Sequence, residues 1–467
     1  MIQEAIRYLA MVVKLYIDVL LKEALLSAFL SFPLVLMGKA FMFPSLEQRS
    51  YLKEELKPDL SVREGRISGR KQRIKIKKNG KTVAVINLSK PELVAQTDRE
   101  EKWGFFQFPN IGKSKDGTLI VSWHMREDSH NAYGKPGRQY TPMMSKDNGK
   151  TWRPQDKTYF APSPGYNGLL KDGSLLQVNT PSSKNIRSYE SFPSPVAEDG
   201  NRLFFNVEQL PEDLQGIYLT RRGERIKTQS FHARLNDPGL IRISIGNLMP
   251  VVWWGNIKQL ADQSLIAGVY PAVYQDSLGQ ILHSSVSFYR SVDEGHSWNI
   301  TGKIPFKYDG IADVRGEKEY VEPTFEILAD SSLICIMRTG NVSPMYKTFS
   351  RDLGKTWTVP EAFTPNGVMP RLLLLKNGVL VLVSGRPGIQ IRFSLDGTGS
   401  VWTEPIEMIP FMNDDGTFQR DVSCGYASII EASDDTFYIV YSNFTTKNSE
   451  GQTRKTIWFR EVTVNRK

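Results

Sequence analysis

Ser145-Lys-Asp147-Asn-Gly149-Lys-Thr-Trp152 reads as a closed turn. The same spacing returns in Ser291-Val-Asp293-Glu-Gly295-His-Ser-Trp298, in Ser350-Arg-Asp352-Leu-Gly354-Lys-Thr-Trp357 and, one residue longer, in Ser394-Leu-Asp396-Gly-Thr-Gly399-Ser-Val-Trp402. In such a turn the aspartate accepts backbone N–H groups, the glycine supplies a positive φ, and the tryptophan packs beneath and pins the loop. Each copy closes a β-rich stretch, so the chain is built from repeats. Turn chemistry accounts for these aspartates, which are read as markers of the fold and not as catalytic groups.

Working outward from the turns, strand-like clusters divide the sequence. Residues 74–88 form a hairpin around Asn79-Gly80, and residues 105–152 form a first full unit. A second unit begins over residues 168–205 around Lys171-Asp172-Gly173, and residues 208–236 read as further strands and long loops. Four more clusters follow, over 251–298, 322–357, 369–402 and 426–464. Asp-Gly or Asn-Gly turns, short β-branched runs and the absence of a long amphipathic helix after residue 60 predict many short antiparallel strands. Pairing of an early strand with the last cluster would remove exposed sheet edges.

Composition narrows the class. The 467 residues carry a formal charge of +9, much of it between residues 66 and 81. There Arg73-Ile-Lys75-Ile-Lys77 alternates as a solvated hairpin strand does, so no nucleic-acid partner is expected. Cys335 and Cys424 lie in apolar runs and read as buried free thiols. The five histidines include no zinc-type pair, and no metal or other cofactor is expected. Residues 1–44 stand apart as a signal-like or membrane-anchor segment: the nearly unbroken apolar run 24–37 precedes Gly38-Lys39-Ala40, a small-residue cleavage pattern. Export to a secreted or periplasmic location is the first expectation, and membrane attachment through this segment the second. Residues 45–72 read as a linker.

The Ser-x-Asp-x-Gly-x-Thr-Trp pattern resembles the Asp-box (BNR) repeat of the sialidase, or neuraminidase, superfamily. That resemblance implies a six-bladed β-propeller over residues 73–467, with the turns on the face away from the active site. It also implies an exo-glycoside hydrolase that removes a terminal acidic sugar, sialic acid or a relative, from glycans. Glu322-Pro323 followed sixteen residues later by Arg338 resembles the segment carrying the family's catalytic glutamate and second clamp arginine. Cys424-Gly-Tyr426-Ala-Ser428 resembles the segment that holds its tyrosine nucleophile. Arg386, in Ser384-Gly-Arg386-Pro-Gly388, ends an apolar strand as Arg338 does and is the candidate for the third arginine, with Arg392 the fallback.

The chemistry is coherent. A carboxylated sugar repels an anionic nucleophile, whereas a neutral tyrosine can attack when a nearby glutamate takes its proton. Arginine forks hold the substrate carboxylate at two points. Two departures count against an unaltered site. Gln107, in Phe106-Gln107-Phe108-Pro109, stands where the family has its first arginine and offers neither charge nor fork. No carboxylate occupies 137–139, where the acid/base aspartate is expected; Asp128, Glu127 or His124 would have to take over. Two other readings compete. One is a propeller lyase on uronic-acid polymers using His124 and Tyr140; the other is a non-catalytic glycan-binding propeller. Trp253 and Trp254 offer stacking surface in any of the three.

Overall fold

The computed structural model describes residues 61–63, 71–129, 136–163, 167–179, 184–249, 254–307, 309–310, 319–340, 343–386, 388–409 and 421–467. The expectations for residues 1–44 and for Trp253 lie outside them. The described chain is all-β, with one short α-helix, Glu212–Gln215, and two 3-10 turns. No helix among the described residues is long and apolar enough to cross a membrane.

Three sheets are antiparallel quartets in simple chain order. They comprise Phe105–Lys113, Leu119–Met125, Met143–Ser145 and Arg153–Pro154; Val321–Ile327, Leu333–Arg338, Met345–Ser350 and Glu361–Thr364; and Val368–Leu374, Leu380–Gly385, Ile389–Ser394 and Ile406–Ile409. An eight-stranded sheet holds two further quartets. One is Gly168–Leu169, Leu175–Asn179, Ile217–Arg222 and Gln229–Asn236; the other is Trp254–Gln259, Leu265–Ala272, Ser285–Ser291 and Ser297–Ile304. They join through a short parallel pairing of Arg234–Asn236 with Ser297–Asn299.

The last sheet runs from Ala427–Ser433 through Thr436–Lys447 to the long strand Thr453–Arg466. Both Lys81–Leu88 and Glu92–Gln96 pair with that long strand, so the two ends of the described chain close one sheet together, as expected. Ser61–Arg63, within the stretch read as linker, adds an edge strand against Lys75–Lys77.

The first strands of successive sheets meet in cyclic order, except that the first and second quartets are joined through the connecting residue Ser163. Ser428 Oγ donates to Asn110 Oδ1 (3.1 Å) and Ser163 Oγ donates to the same atom (2.5 Å). Gly168 lies against Ile257, Asn256 Nδ2 donates to Phe325 O (3.1 Å), and Leu372 N donates to Thr324 Oγ1 (3.2 Å). Gly385 touches Gly425 and returns the circuit to the last sheet. The apolar core fills the spaces between neighbouring sheets, for example Ile334 and Ile336 against Leu380, Leu382 and Trp402. Strands sandwiched in this way are buried on both faces. Leu333–Met337 is therefore a continuous apolar run and does not alternate.

The first three Ser-x-Asp turns are built alike, and the fourth, one residue longer, keeps the serine and tryptophan bonds while Asp396 accepts from Thr398. In the first, Ser145 Oγ donates to Asp147 Oδ1 (2.7 Å), Asp147 accepts from Thr151 N (2.9 Å) and Thr151 Oγ1 (2.6 Å), and Trp152 Nε1 donates to Gly149 O (3.0 Å). Asn148 and Gly149 are both left-handed, with φ of 58° and 83°. Glycine is required for contact as well as for φ. A Cβ on Gly149 would stand 2.1 Å from the Phe459 ring, and one on Gly399 2.3 Å from Ile334 Cδ1, each on the preceding sheet. The turns thus lock sheet to sheet.

The second cluster departs from the sequence reading. Residues 184–206 do not belong to its quartet. Lys184–Asn185, Ala197–Asp199 and Arg202–Asn206 join Ile241–Ile245 and Leu248–Met249 in a separate five-stranded sheet, while the outer strands of the quartet come from 217–236. The chain leaves the quartet after Leu175–Asn179, returns, and leaves again after Gln229–Asn236. Hairpin signals alone do not reveal this interleaving.

Candidate active site

Three first strands share one irregularity. Phe108, Glu322 and Met369 have φ of 49°, 49° and 47°, and each precedes a proline. The strand register slips at each of these places: between Gln107 and Asn110, between Val321 and Thr324, and between Val368 and Arg371. A bulge at a strand start re-aims one side chain, and a left-handed non-glycine residue is strained. The second strands end opposite these bulges, at His124-Met125, Arg338 and Gly385-Arg386. The repeated backbone device therefore presents side chains from several sheets at one end of the ring.

Glu322 is the hub. Its carboxylate is 6 % exposed. Oε1 accepts from Arg338 Nη1 (2.7 Å) and from the Tyr426 hydroxyl, and Oε2 accepts from Met369 N (2.8 Å). Arg338 is further fixed by Nε donating to Gly340 O (2.9 Å). A buried carboxylate needs such a cation and such donors to offset lost hydration. Gly425, with φ of 80°, sets the entry into the last sheet and places Tyr426 beside Phe108, ring centroids 4.8 Å apart.

Phe108 also touches His124 (5.5 Å). His124 Nδ1 donates to Gly104 O (2.8 Å), which fixes the tautomer and leaves Nε2 without a hydrogen-bond partner among the described residues. Arg386 lies with its guanidinium 5.8 Å from the centre of the Trp103 ring, and its Cγ abuts Gly425. Trp103 Nε1 donates to Asp128 Oδ2 (3.0 Å), and the indole also meets Phe444 edge-on.

The sequence-derived residues thus separate. Tyr426, Glu322 and Arg338 form one hydrogen-bonded cluster, with His124 linked to it through Phe108 and Arg386 through Gly425. Asp128 is exposed and engaged with Trp103, and Glu127 is held by Ser129 Oγ (2.8 Å). Gln107 is fully buried, and neither its Oε1 nor its Nε2 has a hydrogen-bond partner. Arg392 lies inside Ile389–Ser394, 5 % exposed, donating to Gln390 Oε1 (3.0 Å), and burial lowers its guanidinium to about 10. Among the described residues no hydrogen bond or ion pair joins it to the cluster. Tyr140, named for the lyase reading, donates to Trp123 O (2.6 Å) and stacks on that indole. Sequence reasoning missed Phe108 and Trp103. The signal for Phe108 was present in the matching Phe-Pro, Glu-Pro and Met-Pro pairs; Trp103 carries no such mark.

No family model matches the chain, and no curated protein matches it. Among solved structures, a protein of unknown function from Dyadobacter fermentans is similar over 80 % of this chain and 99 % of its own, with TM-score 0.51 and 17 % identity. That likeness concerns the fold alone. The Hadza microbial sialidase Hz136 aligns at TM-score 0.46 and 15 % identity, over 84 % of this chain and 74 % of its own. A Penicillium chrysogenum alpha-L-arabinanase complexed with arabinobiose aligns at 0.42 and 14 %, over 76 % and 92 %.

Proposed function

We propose that the chain is a six-bladed propeller of the sialidase type, with the five-stranded sheet as an insertion, and that it is a retaining glycoside hydrolase acting on a terminal acidic sugar. The observation that carries this reading is the hydrogen bond from the Tyr426 hydroxyl to Glu322, with Arg338 on the same carboxylate oxygen. As the phenol oxygen attacks the anomeric carbon, its proton passes to Glu322, and a tyrosyl glycoside forms while the bond to the leaving oxygen breaks. His124, protonated at Nε2, gives the leaving oxygen its proton. In the second half His124 takes a proton from water, the water oxygen displaces tyrosine, and Glu322 returns the phenolic proton.

Arg338 and Arg386 hold the sugar carboxylate. Gln107 is too deeply buried to replace a third arginine, so the clamp is weaker than a three-arginine one and the substrate is an altered acidic sugar. Asp128 acts through Trp103, holding the indole against which Arg386 rests.

The test is chromophore release from aryl sialosides, uronides and neutral glycosides by wild type and Tyr426→Phe. Release from an acidic glycoside that falls at least about a thousandfold in the variant is expected; full turnover by Tyr426→Phe overturns the nucleophile. The open Nε2 of His124 favours one second reading, a lyase on uronic-acid polymers, which would instead yield an unsaturated, ultraviolet-absorbing product.

A further inference from the structure

One face of the molecule is left over by this chemistry. Residues 71–88 and 462–467 carry eight lysines and arginines and no aspartate or glutamate, nearly the whole formal excess of +9. The strands Gln72–Lys78, Lys81–Leu88 and Thr453–Arg466 lie side by side. Their alternation sends Ile74, Ile76, Ile86 and Val464 into the core. The opposite residues, Arg73, Lys75 and Lys77 on the first strand and Val85, Asn87 and Asn465 beyond them, form the outer face.

Among the described residues none of the eight cations forms an ion pair. Elsewhere surface cations do find carboxylates: Lys115 with Glu224, Arg153 with Asp156, Arg290 with Asp262, Lys376 with Glu431. Across the outer face runs a groove of about 470 Å³, in which Lys71, Arg73 and Lys467 and the amides of Asn87 and Asn465 surround Val85. Cations spaced two residues apart along a strand, with amide donors between them, match a surface of closely set anions.

We propose that this face docks on an anionic lipid surface, the groove taking a phosphate headgroup. Charge complementarity supplies the attraction, and sequence position selects the occupant: the basic strands follow an apolar run at residues 24–37. A basic patch acting with one apolar segment is the two-signal arrangement that holds peripheral proteins on membranes. None of the outward residues named is aromatic, and stacking surface is what a single-stranded nucleic acid would need.

The test is partition of the full chain onto vesicles of phosphatidylcholine alone and onto vesicles in which about a third of the lipid is phosphatidylglycerol, at about 0.1 M and about 1 M salt. The apolar segment contributes equally to both vesicle types, so the ratio between them reports the basic face. At low salt the ratio exceeds about tenfold and collapses at high salt. Arg73→Gln/Lys75→Gln/Lys77→Gln lowers binding to the anionic vesicles about a hundredfold, at roughly tenfold per 1.4 kcal/mol and about 1 kcal/mol per cation. Lys115→Gln/Arg153→Gln/Lys376→Gln, an equal charge loss elsewhere, leaves it unchanged. Equal binding to both vesicle types overturns the proposal, as does an equal loss in the two triple variants. Release from the vesicles by an acidic polysaccharide at far below the lipid's charge concentration overturns it in favour of a soluble polymer.

Discussion

The turn face and the site face of the ring use the same strands in opposite ways. At the Ser-x-Asp turns every aspartate is satisfied within its own loop, and left-handed residues fall on a glycine and the position before it in three turns and on Gly397 and Gly399 in the fourth. On the site face the left-handed residues include Phe106, Phe108, Glu322, Met369 and Arg386, the register slips beside Phe108, Glu322 and Met369, Gln107 is buried without hydrogen-bond partners and His124 keeps Nε2 open. One face is repeated and self-contained. The other departs from repetition at each sheet, and those departures bring the reactive groups together. Strain and unspent hydrogen-bonding capacity gathered on one side are what a site requires, and a purely structural ring would have no reason to keep them.

That contrast can be broken by separating turnover from stability. Tyr426→Phe removes one hydroxyl from a cluster that keeps Arg338 and Met369 N on Glu322, so turnover should fall at least about a thousandfold while the urea midpoint barely moves. Gly399→Ala should do the reverse. Its Cβ would meet Ile334 Cδ1 at 2.3 Å with φ at 71°, and overpacking plus strain cost about 2–4 kcal/mol. Turnover measured well below the melting temperature should remain within about twofold. Lost activity in folded Gly399→Ala would show that the two faces are not independent.

A smaller effect sharpens the assignment of Asp128. If it holds Trp103 beneath Arg386, Asp128→Asn keeps an acceptor for the indole N–H and should retain turnover within about threefold, whereas Asp128→Ala should raise KM about tenfold with kcat little changed. A general acid would behave otherwise: Asp128→Asn would lower kcat as severely as alanine does, and the acidic pH limb would move.

The turn face was legible in the sequence because its physics is local. Asp147, Gly149 and Trp152 lie within six residues, and each contact they make inside the turn follows from spacing alone. Glu322 and Arg338 were named by resemblance to one family segment, and a single hairpin joins them. Tyr426 was found by resemblance, but its bond to Glu322 spans 104 positions and depends on closure of the ring. The site of Gln107 could be read, its burial could not, because burial depends on neighbouring sheets. The interleaved five-stranded sheet failed for the same reason: Arg202–Asn206 pairs with Ile241–Ile245 across two strands that belong elsewhere. Pairing of that kind leaves no periodicity to detect.

The smallest effect tests whether the turn face is as self-sufficient as its geometry implies. Hydrogen bonds from Thr151 hold Asp147 down to about 2, and those from Thr356 do the same for Asp352. Asp293 and Asp396 are also lowered, though partial burial works against the hydrogen bonds there. An unfolded aspartate titrates near 3.9, so the folded chain binds these protons less readily than the unfolded one. Their contribution to stability is therefore complete above about pH 5 and disappears as pH falls through about 2. In Asp352→Asn one such group is gone. The variant should be slightly less stable than wild type at neutral pH, and the gap should close as pH drops from about 5 to about 2. Urea titrations of the two proteins across that range check it. Parallel curves would mean that the Asp352 carboxylate gains nothing from its turn, and that the glycine and tryptophan contacts alone hold that corner of the ring.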